Sequence, residues 1–225
     1  MIELHSFGDP DAQAGALAAA VAQALAEPVQ ARARRTLALS GGTSPRRFFE
    51  HLARTPVDWT TVDLTLVDDR WVAEHDAASN AALLRATLLS GAAGAHFLPL
   101  VETARDPVQH VAALNSDARY RQPDVAVLGM GEDGHTASLF ADAPEWAAAL
   151  ATRDRYVLVH PGAAPHARVS LSMDALIHTR RLFLLISGTR KLEVLQQAVA
   201  GPNNNAISKL ANHEGVQIDV YWCAD

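Results

Sequence analysis

The stretch 124-DVAVLGMGEDGHTASLF-140 carries the reading of the fold. Val125, Val127 and Leu128 form an apolar run of strand length, and Gly129, Gly131 and Gly134 follow it closely. A strand without polar alternation is buried on both faces, the pattern of a parallel sheet covered by helices. Glycines at its end let the chain turn sharply and bring backbone N–H groups near a ligand. Asp133 and His135 sit inside that turn, so a buried strand delivers two titratable groups to its own carboxyl end.

Outward from this segment the pattern repeats. Apolar runs at 2–7, 35–40, 62–67, 96–100, 124–129, 155–160, 181–187 and 216–223 predict strands. Alanine-rich amphipathic stretches at 10–27, 45–54, 79–90, 106–119, 189–200 and 206–213 predict helices between them. Pro45 suits a first helical turn, and Ser79 or Asn80 suits a cap. The alternation predicts an α/β protein: a single three-layer domain over 1–225, with a mostly parallel, Rossmann-like central sheet flanked by helices on both faces. No repeat or Gly/Ser/Pro-rich linker divides the chain. The segments 68–78 and 160–167 read as irregular loops, places where function tends to sit.

Composition narrows the function classes. With 225 residues, 49% of them hydrophobic, the chain can bury a full core, which excludes general disorder. A formal net charge of -6 and no basic stripe argue against nucleic acid or an anionic membrane as partner. The N-terminus carries Glu3 before any basic residue and is interrupted by Gln13 and Gly15, unlike a signal peptide, and no run is long enough to span a bilayer. One cysteine, Cys223, allows no internal disulfide and fits a reducing, cytoplasmic compartment. Monomer and homodimer both remain open.

Four further segments carry candidate chemistry. In 36-TLALSGGTSPRRFFEHL-52, Gly41, Gly42 and Thr43 lie between an apolar strand and a helix that opens near Pro45. Free N–H groups and a helix dipole aimed at one point suit a phosphate, although an ordinary strand-to-helix turn reads the same way. The loop is neither a Walker A motif nor a dinucleotide fingerprint. Asp68, Asp69 and Arg70 end the next strand, where ligands of open α/β sheets bind; the alternative is a solvated turn with Arg70 paired to a neighbour. His135 can exchange a proton near neutral pH, and Asp133 is close enough to orient it. Arg168 and Lys191, near element ends, suit an anion or else plain helix-surface charge. No metal-ligand spacing, serine elbow or activated thiol is present in the sequence, so no required metal is expected, and Cys223 reads as packing.

Taken together, "LSGGTSP", "VDDRWV" followed by "SN", "GMGEDGHTASLF", and "PHARVSLSMDAL" followed by "SGTRK" resemble, in this order, the 6-phosphogluconolactonase family, across nearly the whole chain. The glycine-rich histidine segment is the most specific part. The wider superfamily includes glucosamine-6-phosphate deaminases, which share the Gly-Gly-Thr loop and the Asp-Gly-His turn. The deaminase pattern calls for tyrosine where this chain has Arg70, and for Asn-Glu-Pro where it has Leu139, Phe140 and Ala141. The lactonase pattern more often reads Asp-Glu-Arg, with Asp69 here in place of the glutamate. The resemblance implies hydrolysis of a phosphosugar lactone without a cofactor. It implies His135 as base, Asp133 and Arg70 as its catalytic partners, and Gly41, Gly42, Thr43, Asp69, Arg168 and Lys191 as substrate-binding residues.

Overall fold

A computed structural model describes residues 1–27, 34–42 and 44–224. In chain order the elements are β1 (Ile2–Phe7), α1 (Pro10–Ala26), β2 (Arg35–Leu39), α2 (Pro45–Arg54), β3 (Val62–Leu66), β4 (Asp68–Arg70), α3 (Asn80–Thr87), β5 (His96–Phe97) and α4 (Pro107–Ser116). There follow β6 (Val125–Leu128), α5 (Trp146–Ala151), β7 (Tyr156–Val159), β8 (Arg168–Leu171), α6 (Met173–Ile177), β9 (Arg181–Ser187), α7 (Thr189–Ala200), α8 (Ala206–Ala211) and β10 (Ile218–Cys223).

Seven strands form one sheet in the order β1-β10-β9-β6-β2-β3-β5, and every pairing in it is parallel. Strands β3 and β6 are buried at every residue, as expected where helices cover both faces. Local chemistry starts the helices where the sequence reading placed them. Asp9 caps α1 by accepting from the N–H groups of Asp11 and Ala12 at 2.9 Å, with Pro10 in the first turn. Ser79 caps α3, and Asp106 caps α4 ahead of Pro107.

The strand order contains a switch. From β2 the chain builds outward through β3 and β5, then returns to place β6 on the other side of β2 and continues to β9 and β10. Adjacent strands whose connections leave in opposite directions open a crevice at their carboxyl ends. Here those ends are Ser40–Gly42 and Gly129–Gly131.

The remaining three strands form a second sheet, antiparallel, in the order β4-β8-β7. This corrects the reading at several points. The run at 155–160 does form a strand, but in the small sheet rather than the central one. The segment 68–70, read as the start of a loop, is β4, and 168–171 is β8. Of 96–100, only His96 and Phe97 pair, at the sheet edge. The short helices α5 and α6 were not foreseen. Val67 joins the two sheets: its N–H donates to the Leu39 carbonyl at 2.9 Å, and its own carbonyl accepts from Leu171 N–H at 2.8 Å. The small sheet therefore continues from the carboxyl end of the large one, beside the crevice.

Candidate active site

The crevice is closed at its base by the two strand ends themselves. Ser40 N–H donates to the Val127 carbonyl at 2.9 Å, and Gly129 N–H donates to Ser40 Oγ at 3.1 Å. After β6 the chain folds into a tight turn, in which Gly134 N–H donates to the Gly131 carbonyl and Gly131 N–H to the His135 carbonyl, both at 3.0 Å. Only glycine fits at 131, because a Cβ there would stand 2.3 Å from the His135 ring and 2.4 Å from Asp133 Oδ1. Gly134 has φ +79 and lies against the Asn205 side chain, so the cap of α8 presses on the turn from behind.

This turn makes a dyad. Asp133 Oδ1 lies 2.6 Å from His135 Nδ1 and also accepts from His135 N–H at 3.2 Å. The hydrogen bond from His135, ahead of the charge interaction, holds the Asp133 carboxyl below its usual range. With Nδ1–H given to the carboxylate, the neutral imidazole keeps its lone pair on Nε2. The ring stacks on Phe140, centroids 4.0 Å apart, and faces a cavity of about 240 Å³.

Cations line the same cavity. Arg70 and Arg168 stand directly opposite each other in the β4/β8 register, and both border it. Arg70 Nη1 donates to the Ala78 carbonyl at 2.7 Å. Arg168 Nη1 reaches Ser138 Oγ at 3.4 Å and Asp68 Oδ2 at 4.0 Å, while Ser138 Oγ donates to Asp68 Oδ2 at 2.6 Å. Burial, and secondarily the neighbouring Arg70, pull the Arg168 pKa down from the usual guanidinium value, against the pull of Asp68. The Nε atoms of both arginines are buried and find no hydrogen-bond partner among the described residues. Two adjacent guanidiniums with unanswered donors are a costly arrangement that an anion would relieve. Lys191, in the first turn of α7, adds a third cation at the rim, and Gly41, Gly42, Ser44 and Pro45 bring the start of α2 to the same wall.

Of the residues singled out in the sequence, His135, Arg70, Arg168, Lys191, Gly41 and Gly42 thus meet at one cavity, and Asp133 holds His135. Thr43 lies outside the described residues. Asp69 is not among the residues that line the cavity, and its carboxylate is buried. It accepts from the N–H groups of Arg70 at 2.8 Å, Asn80 at 2.7 Å and Ala81 at 3.1 Å, so it ties β4 to the start of α3. Burial pushes this carboxyl up to about 6, outweighing those bonds.

One polar residue that lines the cavity, Asn80, was not singled out in the sequence as a binding candidate. Asn80 is buried there, with Nδ2 donating to the Asp68 carbonyl at 2.8 Å, and its side chain leaves no room for a Cβ at Gly41. Asp68, singled out with Asp69 and Arg70 at the strand end, also lines the cavity and accepts from Ser138 Oγ. The signal for Asn80 was its place after Ser79 at a helix start, which reads equally as capping.

The model of the family described as glucosamine-6-phosphate isomerases/6-phosphogluconolactonase matches residues 8–221. The chain belongs to that family. It is 41% identical to a protein of Neisseria meningitidis (serogroup A) called 6-phosphogluconolactonase, covering 99% of both chains. It is 36% identical to a protein of that name from Xylella fastidiosa (strain 9a5c), covering 99% of this chain and 97% of the relative. The crystal structure of a 6-phosphogluconolactonase from Shewanella baltica OS155 superposes with a TM-score of 0.91 at 34% identity, over 100% of this chain and 98% of that one. That structure thus shares the fold of this chain along nearly its full length. Among the described residues, no helix is long and apolar enough to cross a membrane.

Proposed function

We propose that this protein is a 6-phosphogluconolactonase, a carboxylic ester hydrolase acting on 6-phospho-D-glucono-1,5-lactone to give 6-phospho-D-gluconate. In this reading residues 1–225 work as one catalytic domain, in the cytoplasm, at the second step of the oxidative pentose phosphate pathway. The observation that carries the proposal is the meeting of an oriented histidine and three cations around one cavity.

The chemistry follows from the substrate. A lactone carbonyl is attacked by water, and the step needs a base, stabilisation of the oxyanion and a proton for the leaving ring oxygen. Nε2 of His135 takes the proton from water as the oxygen bonds to C1, and Asp133 holds the resulting imidazolium. Collapse of the tetrahedral intermediate breaks the bond from C1 to the ring oxygen, and the imidazolium returns its proton to that oxygen. Arg70 steadies the developing negative charge. Arg168, Lys191 and the Gly41–Gly42 turn hold the 6-phosphate, and this remote binding orients the lactone for attack.

The test is the initial rate on freshly made lactone, corrected for spontaneous hydrolysis. Strong acceleration of the phosphorylated lactone, and much weaker acceleration of gluconolactone without phosphate, is expected. No acceleration of either would overturn the proposal. Release of ammonia from glucosamine 6-phosphate would move the assignment to the isomerase branch of the family.

A further inference from the structure

The aromatic ring beneath His135 touches more than the histidine. Phe140 stacks on the imidazole with an interplanar angle of 23°, and the Arg168 guanidinium carbon lies 5.1 Å from the centre of the same phenyl ring. One side chain therefore supports a group assigned to proton transfer and a group assigned to the phosphate. Phe140 is itself buried, but not in the main core. It belongs to a small separate apolar cluster with Ala143 and Val159, against which Val157 and Ala164 pack. Those partners come from β7 and from the 160–167 segment that leads into β8.

The backbone near this ring is also unusual. Among the described residues, the non-glycine positions with positive φ are Ala137, at 51°, and His166, at 68°. Ala137 lies three residues before Phe140, and His166 lies two before Arg168. L-residues in that region persist only where their surroundings hold them, and such positions gather at functional sites. Here both stand in the segments that deliver the two partners of the ring.

We propose that Phe140 is a positioning residue that fixes the spacing between the imidazole of His135 and the guanidinium of Arg168, anchored by a small apolar cluster of its own. A phenyl face accepts both a flat imidazole and a guanidinium, so one rigid ring sets two orientations without making a hydrogen bond to either. The inference rests on the lactonase reading for its kinetic part, and on geometry alone for its structural part.

The test compares full-length wild type, Phe140→Leu and Phe140→Tyr, each checked for cooperative melting. Phe140→Leu keeps an apolar side chain but loses the ring. It is expected to lower kcat about tenfold and raise KM several-fold while still folded, whereas Phe140→Tyr stays within about twofold of wild type. Wild-type kcat and KM in Phe140→Leu, or losses in both variants that match their unfolded fraction, would overturn the proposal. A second measurement needs neither activity nor a variant of Phe140. In wild type, the ring-proton NMR signals that disappear in His135→Gln should lie upfield of those of the histidines that touch no aromatic ring, through the ring current of Phe140; His5 and His110, which touch Tyr221 and Trp71, are left out of the comparison. Unshifted signals would overturn the stacking itself. If wild type fails to accelerate lactone hydrolysis while the upfield shift is present, the functional reading falls and the positioning of His135 by Phe140 stands.

Discussion

The two sheets of this molecule solve different problems. The large parallel sheet is mostly apolar along its central strands, where Arg35, Thr36, Asp63 and Thr65 interrupt the run, and it meets the cavity with backbone and glycine turns. The small antiparallel sheet is fully buried only along β8 and partly exposed along β4 and β7, yet it carries Arg168 and Ser170 inward and faces Arg70 and Asp68 on β4. Buried charges destabilise a fold unless something answers them, and here Asp68 answers only part of the charge of two guanidiniums. The contrast sets an apolar scaffold against a sheet that, under the proposed function, is shaped around a negatively charged ligand. The turn that carries His135 grows from the first, and Arg70 and Arg168 come from the second.

That division can be broken at either end. The largest effect is expected from His135→Ala, which removes the base from the end of the large sheet. It should lower kcat by 10²–10⁴-fold, on the order usual for a lost general base, with little change in affinity for the product measured by calorimetry. A variant that hydrolyses the lactone at the wild-type rate would take proton transfer away from the glycine turn.

Next come Arg168→Ala, on the small sheet, and Lys191→Ala, at the start of α7 after β9 of the large one, which strip charge from the cavity. Each is expected to act mainly on KM, raising it by roughly one to two powers of ten, the value of a charge-assisted hydrogen bond of about 1.5–3 kcal/mol. Steady-state kinetics check this. A fall in kcat with KM unchanged would place these residues at the reacting carbon instead.

The smallest effect concerns the seam between β4 and α3. The Asp69 carboxyl has its pKa raised from 3.8 to about 6, so the folded protein holds a proton there that the unfolded chain releases. Its contribution to stability is full below the unfolded value and is lost as pH rises through the folded one. Between pH 5 and pH 8 wild type should therefore lose about 1 kcal/mol that Asp69→Asn does not lose. Urea midpoints for both proteins at the two pH values measure this, and parallel changes would contradict the assignment.

The same contrast explains what could be read from the sequence. The strands of the large sheet announce themselves, because apolar runs such as Val125–Leu128 need no distant partner to be recognised. His135 and its glycine turn were legible for the same reason, being contained in twelve residues from Asp124 to His135. The small sheet was not. Asp68–Arg70 and Arg168–Leu171 are short and partly charged, and they become strands only by pairing across about a hundred residues of chain. The facing of Arg70 and Arg168 depends on that register, so each could be suspected singly but not their juxtaposition. The tie from Asp69 to the start of α3 was not legible, because a carboxylate beside a site and a carboxylate supporting a helix start look alike in one dimension. Asn80 was hidden by the ordinary reason for an asparagine at a helix start.

The most direct test of the division between the sheets is a comparison of kcat/KM for the lactone with and without its phosphate, in wild type, His135→Ala and Arg168→Ala. His135→Ala should lose activity on both lactones by the same factor, and Arg168→Ala should lose it on the phosphorylated lactone alone. An Arg168→Ala protein that lost both activities equally would contradict the assignment of the small sheet to the phosphate.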